Sequence, residues 1–114
     1  MLEHVFRFQR TDDPVFEEVA GYSGTHGLLI THGVLPLGEA TPHDNTDSEV
    51  TLIVVRGTLA LRVADQLIHT YEAGTIVAVP SGITMELRSA GLEPLEFFMI
   101  KEPLSATWTL PKAV

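Results

Sequence analysis

The sequence predicts an all-β fold, a barrel or sandwich of two antiparallel sheets. Three observations predict it. Short apolar segments recur between Gly and Pro breaks along the chain. Several of these segments alternate apolar and polar residues with the period of two that places one face on a core. Only residues 14–20 carry a spacing that suits a helix as well as a strand, and Gly21 ends that segment.

The elements follow in order. Residues 25–35 hold Leu28, Leu29, Ile30 and Val34 between glycines, a strand pattern. Residues 50–56 are β-branched and apolar on both faces, as in a strand covered on both sides, and Gly57 turns the chain. Residues 58–63 alternate, with Leu59, Leu61 and Val63 on one face. Ala64, Asp65 and Gln66 read as a hairpin turn into a strand over 67–71. Residues 75–79 form another apolar strand, stopped by Pro80. Beyond Gly82, Ile83, Met85 and Leu87 share one face, while Thr84, Glu86 and Arg88 share the other. A loop over 89–94 leads to a strong strand over 95–100, rich in Phe97 and Phe98, which Pro103 breaks. Residues 106–110 suit one more short edge strand. Closing a sheet on itself removes the open edges that such a strand set would otherwise expose. Periodicity by itself does not choose between immunoglobulin-like, jelly-roll and other barrels.

Composition bounds the rest. The 114 residues suit a single domain, 1–114, with a core over roughly 25–102. The formal net charge is −8 with seven basic residues scattered along the chain, which argues against nucleic acid, since phosphate binding needs clustered Lys and Arg. No apolar run reaches the roughly 18 residues of a membrane span, and the N-terminus has no signal-peptide core. There is no cysteine, so a thiolate metal site is excluded and a cytoplasmic location is expected. No nucleophile elbow, P-loop or dinucleotide fingerprint is present.

Two patterns carry the remaining information. The first runs Gly38-Glu-Ala-Thr-Pro-His43-Asp-Asn45-Thr-Asp-Ser-Glu49 into Val50 and on to Gly57; the second runs Gly74-Thr-Ile-Val-Ala-Val-Pro80-Ser-Gly82-Ile-Thr-Met85. Together they resemble the two motifs of the cupin superfamily over roughly residues 28–101. The resemblance implies a double-stranded β-helix, a jelly-roll-like barrel, and in many members one metal ion held by two histidines, a glutamate and a last histidine. Gly74, Pro80 and Gly82 keep the family spacing, but Met85 stands where the last histidine is expected. In the first motif, counting from Pro36 and Gly38 puts His43, Asn45 and Glu49 at the ligand positions. Counting back from Gly57 puts Asp44, Thr46 and Val50 there. One residue is extra. A bulge between Val50 and Gly57 would absorb it and keep His43, Asn45 and Glu49 inward; without one they face away, and Val50, Leu52 and Val54 line the barrel.

Either way the donor set is short. Asn oxygen is a weak donor, and a Met thioether suits soft Cu(I) rather than a site shared with a carboxylate. The expected ligand-binding residues are therefore His43, Asn45, Glu49 and Met85, with a small organic molecule as partner and no resident cofactor. The alternative is a metal-dependent dioxygenase or isomerase in which His43 and Glu49, with Asn45 and a further histidine (His32 or His69), hold a divalent Mn, Fe, Ni or Zn ion. A third reading is a structural or regulatory dimer with a packed barrel. The resemblance also implies a homodimer, and Phe97, Phe98 and Trp108 are expected in the core or at that contact. Whether the protein is an enzyme stays open at this level. His26 and His32 share a strand face, on a rim or pointing inward, and His69 suits a hydrogen-bonded core or surface position.

Overall fold

The computed structural model of the chain describes residues 5–19, 28–45 and 48–103. Among the described residues there are nine strands and no helix, so no helix is long and apolar enough to cross a membrane. They are β1 (Val15–Glu18), β2 (Leu29–Leu35), β3 (Ala40–Asn45), β4 (Ser48–Arg56), β5 (Thr58–Val63), β6 (His69–Glu72), β7 (Ile76–Val79), β8 (Ile83–Ser89) and β9 (Leu95–Pro103). Two antiparallel sheets form, a five-stranded one in the order β1-β2-β9-β4-β7 and a four-stranded one in the order β3-β8-β5-β6.

The alternation read from the sequence decides which residues meet. Leu52 pairs with Met99 and with Val77, and Val54 pairs with Phe97, so these side chains share the inner face of the larger sheet. Leu61 pairs with Leu87 and Val63 with Met85 on the inner face of the smaller sheet. The two rows form one buried cluster that includes Val50, Leu59, Val79 and Leu95. Each such side chain contributes about 1.5–3 kcal/mol by leaving water, which makes this interface between sheets the main source of stability.

Residues 14–20 resolve as strand up to Glu18, because Phe16 and Glu18 pair with Gly33 and Thr31 along β2. Residues 40–45 form β3 because β8 offers a full antiparallel partner from Ile83 to Arg88. Pro103 ends β9 rather than stopping it short, pairing with Ser48. The Ala64 turn is present: Ala64 has φ of 54° and Gln66 N–H donates to Val63 C=O at 3.0 Å. Residues 106–110, Trp108 and His26 lie outside the described residues.

The extra residue of the first motif is a bulge at Val55. Val54 pairs with Phe97, and the next pair is Arg56 with Glu96. The bulge lies inside the interval the sequence allowed, but it leaves Val50 to Val54 regular. What it turns around is Arg56, which swings to the outer face. Gly57 follows at φ of +80°, with the Pro94 carbonyl 2.5 Å from where a Cβ would sit, so only glycine fits this corner between the sheets.

Residues 5–14 lie across the outer face of the larger sheet. The Phe8 ring sits 4.6 Å from the His32 ring and 5.2 Å from Phe98, centroid to centroid. Beneath it His32, 1% exposed, stands between Glu17 and Glu96. Arg56 donates to Glu96 at 3.3 Å and to Asp12 at 2.9 Å, and also to the Thr11 carbonyl, pinning the arm.

Candidate functional site at the barrel mouth

The first motif puts His43 inside. It pairs with Met85, which is 4% exposed and part of the core cluster. Paired residues of an antiparallel ladder share a face, so His43 and Met85 both point between the sheets. There His43 lines a cleft of about 390 Å³ where β1, β2 and β9 approach β3, together with Phe16, Glu18, Leu29, Thr31 and Lys101.

Glu49 does not join them. It pairs with Glu102 on β9 and is exposed, while its neighbour Val50 is fully buried. The strand alternates, so Val50 takes the inside and Glu49 the outside. The two alternatives for this motif thus divide: His43 faces inward, as the bulged register required, and Val50, Leu52 and Val54 line the barrel, as the unbulged one required. Asn45 pairs with Ile83; its side chain lies outside the described residues. His69 is exposed on edge strand β6, and His32 is on the outer face, beneath the arm.

The second motif forms as its glycines and proline suggest. Gly82 has φ of +82° and turns the chain from β7 into β8, which carries Met85 inward. That turn conformation is open to glycine and strained for a residue with a Cβ.

This pairing of a Gly-Pro-Gly-shaped second motif with a two-sheet barrel is matched by a family model. Residues 31–101 fit the Cupin_2 cupin domain. The chain is a cupin. Its fold is the double-stranded β-helix. The curated relative MJ0764 of Methanocaldococcus jannaschii is 37% identical over 103 residues, 90% of this cupin and 87% of that protein. The crystal structure of MJ0764, an RmlC-like cupin family protein with a double-stranded β-helix fold, superposes with a TM-score of 0.79 at 36% identity over 90% of this cupin and 93% of that chain. The Cupin_2 domain of an XRE family transcriptional regulator from Enterobacter cloacae superposes with a TM-score of 0.72 at 14% identity, over 81% of this cupin and 98% of that domain, a likeness of fold.

The electrostatics of the cleft follow from its neighbours. Burial, and then the Lys101 ammonium, hold the His43 imidazole below its ordinary range, against the opposing pull of Asp44. These effects favour the neutral form of His43. Its Nε2 is buried and has no hydrogen-bond partner among the described residues. An unsatisfied buried polar atom of this kind costs about 1–3 kcal/mol.

A divalent ion of the kind many cupins hold fits this donor set poorly. Among the described residues no group of three or more His, Asp or Glu converges. The Lys101 charge acts on the same imidazole that would have to bind a cation, and Met85 supplies a soft sulfur at the second-motif position.

Lys101, Thr31 and Glu18 were not singled out from the sequence. The signal for Lys101 was there: it continues the inward row Phe97, Met99 on β9. Seeing it required knowing that β9 runs past residue 100 and which of its faces turns inward.

Proposed function

We propose that this cupin binds a small organic molecule in the cleft at its barrel mouth, with His43 at the polar pole, and does so without a tightly held transition metal. The observation that carries the reading is the division of the first motif: His43 faces inward beside Met85 with a free Nε2, while Glu49 lies on the opposite face of β4. A neutral imidazole with one unused nitrogen is suited to a single directed hydrogen bond. The apolar walls, Phe16 and Leu29, supply contact area of the kind ligand clefts use.

The metalloenzyme reading needs His43 and Glu49 on one ion. To achieve that, β4 would have to shift by one residue, which would expel Val50, Leu52 and Val54 from the core. Metal analysis of protein purified after growth in medium supplemented with Mn, Fe, Ni and Zn tests the proposal. The expected result is substoichiometric metal, equal in wild type and His43→Ala. One equivalent of metal that His43→Ala loses would overturn it.

A further inference from the structure

We propose that the cleft selects small organic anions, a ligand carboxylate pairing with the Lys101 ammonium while its apolar body rests against Phe16 and Leu29. The inference rests on the binding reading above and names the ligand class. Lys101 pairs with Leu29 on one side and Val50 on the other, and Val50 is fully buried in the core, so the lysine stem rises along the inner face of the larger sheet. It is partly buried, lines the cleft, and has no carboxylate within ion-pair distance among the described residues. A half-sheltered cation without a counter-ion calls for an anion more strongly than one in open water.

The other polar groups agree. Thr31, 8% exposed, and His43 line the same cleft, and His43 Nε2 has no hydrogen-bond partner among the described residues. A carboxylate has two oxygens, which the Lys101 ammonium and the Thr31 hydroxyl can serve as donors. Burial and the Lys101 ammonium both disfavour charge on His43, so Lys101 is the cation of the cleft. Glu18 at the rim adds a negative charge, which favours a monoanion over a dianion such as inorganic phosphate. The chain carries a net charge of −8, so the preference for an anion is a local property of this lysine.

The test compares acetate, isobutyrate and benzoate with acetamide, isobutyramide and benzamide, titrated into the isotope-labelled full chain. The backbone amide signals of Leu29, Thr31, His43 and Lys101 are followed. At least one carboxylate should shift them saturably and bind about tenfold or more tighter than its amide. Lys101→Met should weaken the carboxylate about tenfold and the amide far less, while Glu18→Gln should tighten the carboxylate a few-fold. Equal affinity for acid and amide, unaltered by Lys101→Met, would overturn the anion preference and leave the cleft as a binding site. Silence of all four signals toward all six compounds would overturn both readings. Should Lys101→Met fail to fold, Glu18→Gln decides: unchanged or weaker carboxylate binding overturns the proposal.

Discussion

His32 Nε2 lies 2.7 Å from Glu96 Oε2, and the other ring nitrogen, Nδ1, lies 3.2 Å from Glu17 Oε1. Glu96 offers its second oxygen to Arg56 at 3.3 Å. One buried carboxylate thus joins a histidine of β2 to an arginine of β4, on the outer face of the sheet. Donation from His32 to both carboxylates at once takes the doubly protonated ring; a neutral ring donates to one. Burial opposes the charge on Arg56, but its bonds to Asp12 and Glu96 outweigh that, so the guanidinium is held more firmly protonated than usual.

Removing Glu96 should therefore be costly. Glu96→Ala leaves Arg56 and His32 buried without their shared partner, and a loss of about 3–5 kcal/mol is expected. Glu96→Gln keeps one acceptor oxygen and should lose less. Urea unfolding measures both. A Glu96→Ala midpoint indistinguishable from wild type would mean that the network adds nothing to stability.

The depressed pKa of His43 has a sign. The unfolded chain takes up a proton in the ordinary imidazole range, while the folded chain resists until lower pH. The stability linked to His43 is intact above that range and is lost as pH falls through it toward the folded value. His43→Gln removes this dependence. Guanidinium unfolding between pH 7.5 and 5 should show a shallower decline for the variant than for wild type; parallel curves would contradict the placement of His43.

Glu49 stands opposite Glu102, both exposed. Like charges directly across a ladder repel. Glu49→Gln should leave stability within about 0.5 kcal/mol of wild type, on the stabilising side. Thermal unfolding at low and high salt checks it, since salt should remove the difference.

Gly33 lies against the flat of the Phe97 ring, and a Cβ there would collide with that ring. Phe97 is fully buried and has nowhere to move. Gly33→Ala should cost about 1–3 kcal/mol by overpacking. Phe97→Leu is itself destabilising, but adding it to Gly33→Ala should cost less than adding it to wild type. Strict additivity in chemical unfolding would show that the two positions do not touch.

The rows Leu59-Leu61-Val63 and Ile83-Met85-Leu87 could be assigned to one face from the sequence, because strand alternation is local: each residue's face follows from its neighbours two positions away. The glycines Gly57 and Gly82 announced their corners for the same reason. The resemblance of the two motifs to cupins named the barrel. Register was different. His43 and Glu49, six apart and separated by a break between strands, were placed on opposite faces by pairings with Met85 and with Glu102 that span tens of residues. Lys101 entered the cleft, and Glu96 met His32 and Arg56, through contacts of the same long range. The sequence by itself determined most of the strands, the inner faces of β5 and β8, and the family. Only the tertiary structure decided which motif residues share a cavity, because a one-residue bulge at Val55 and the partners of each strand are set by packing across the barrel, where local periodicity carries no information.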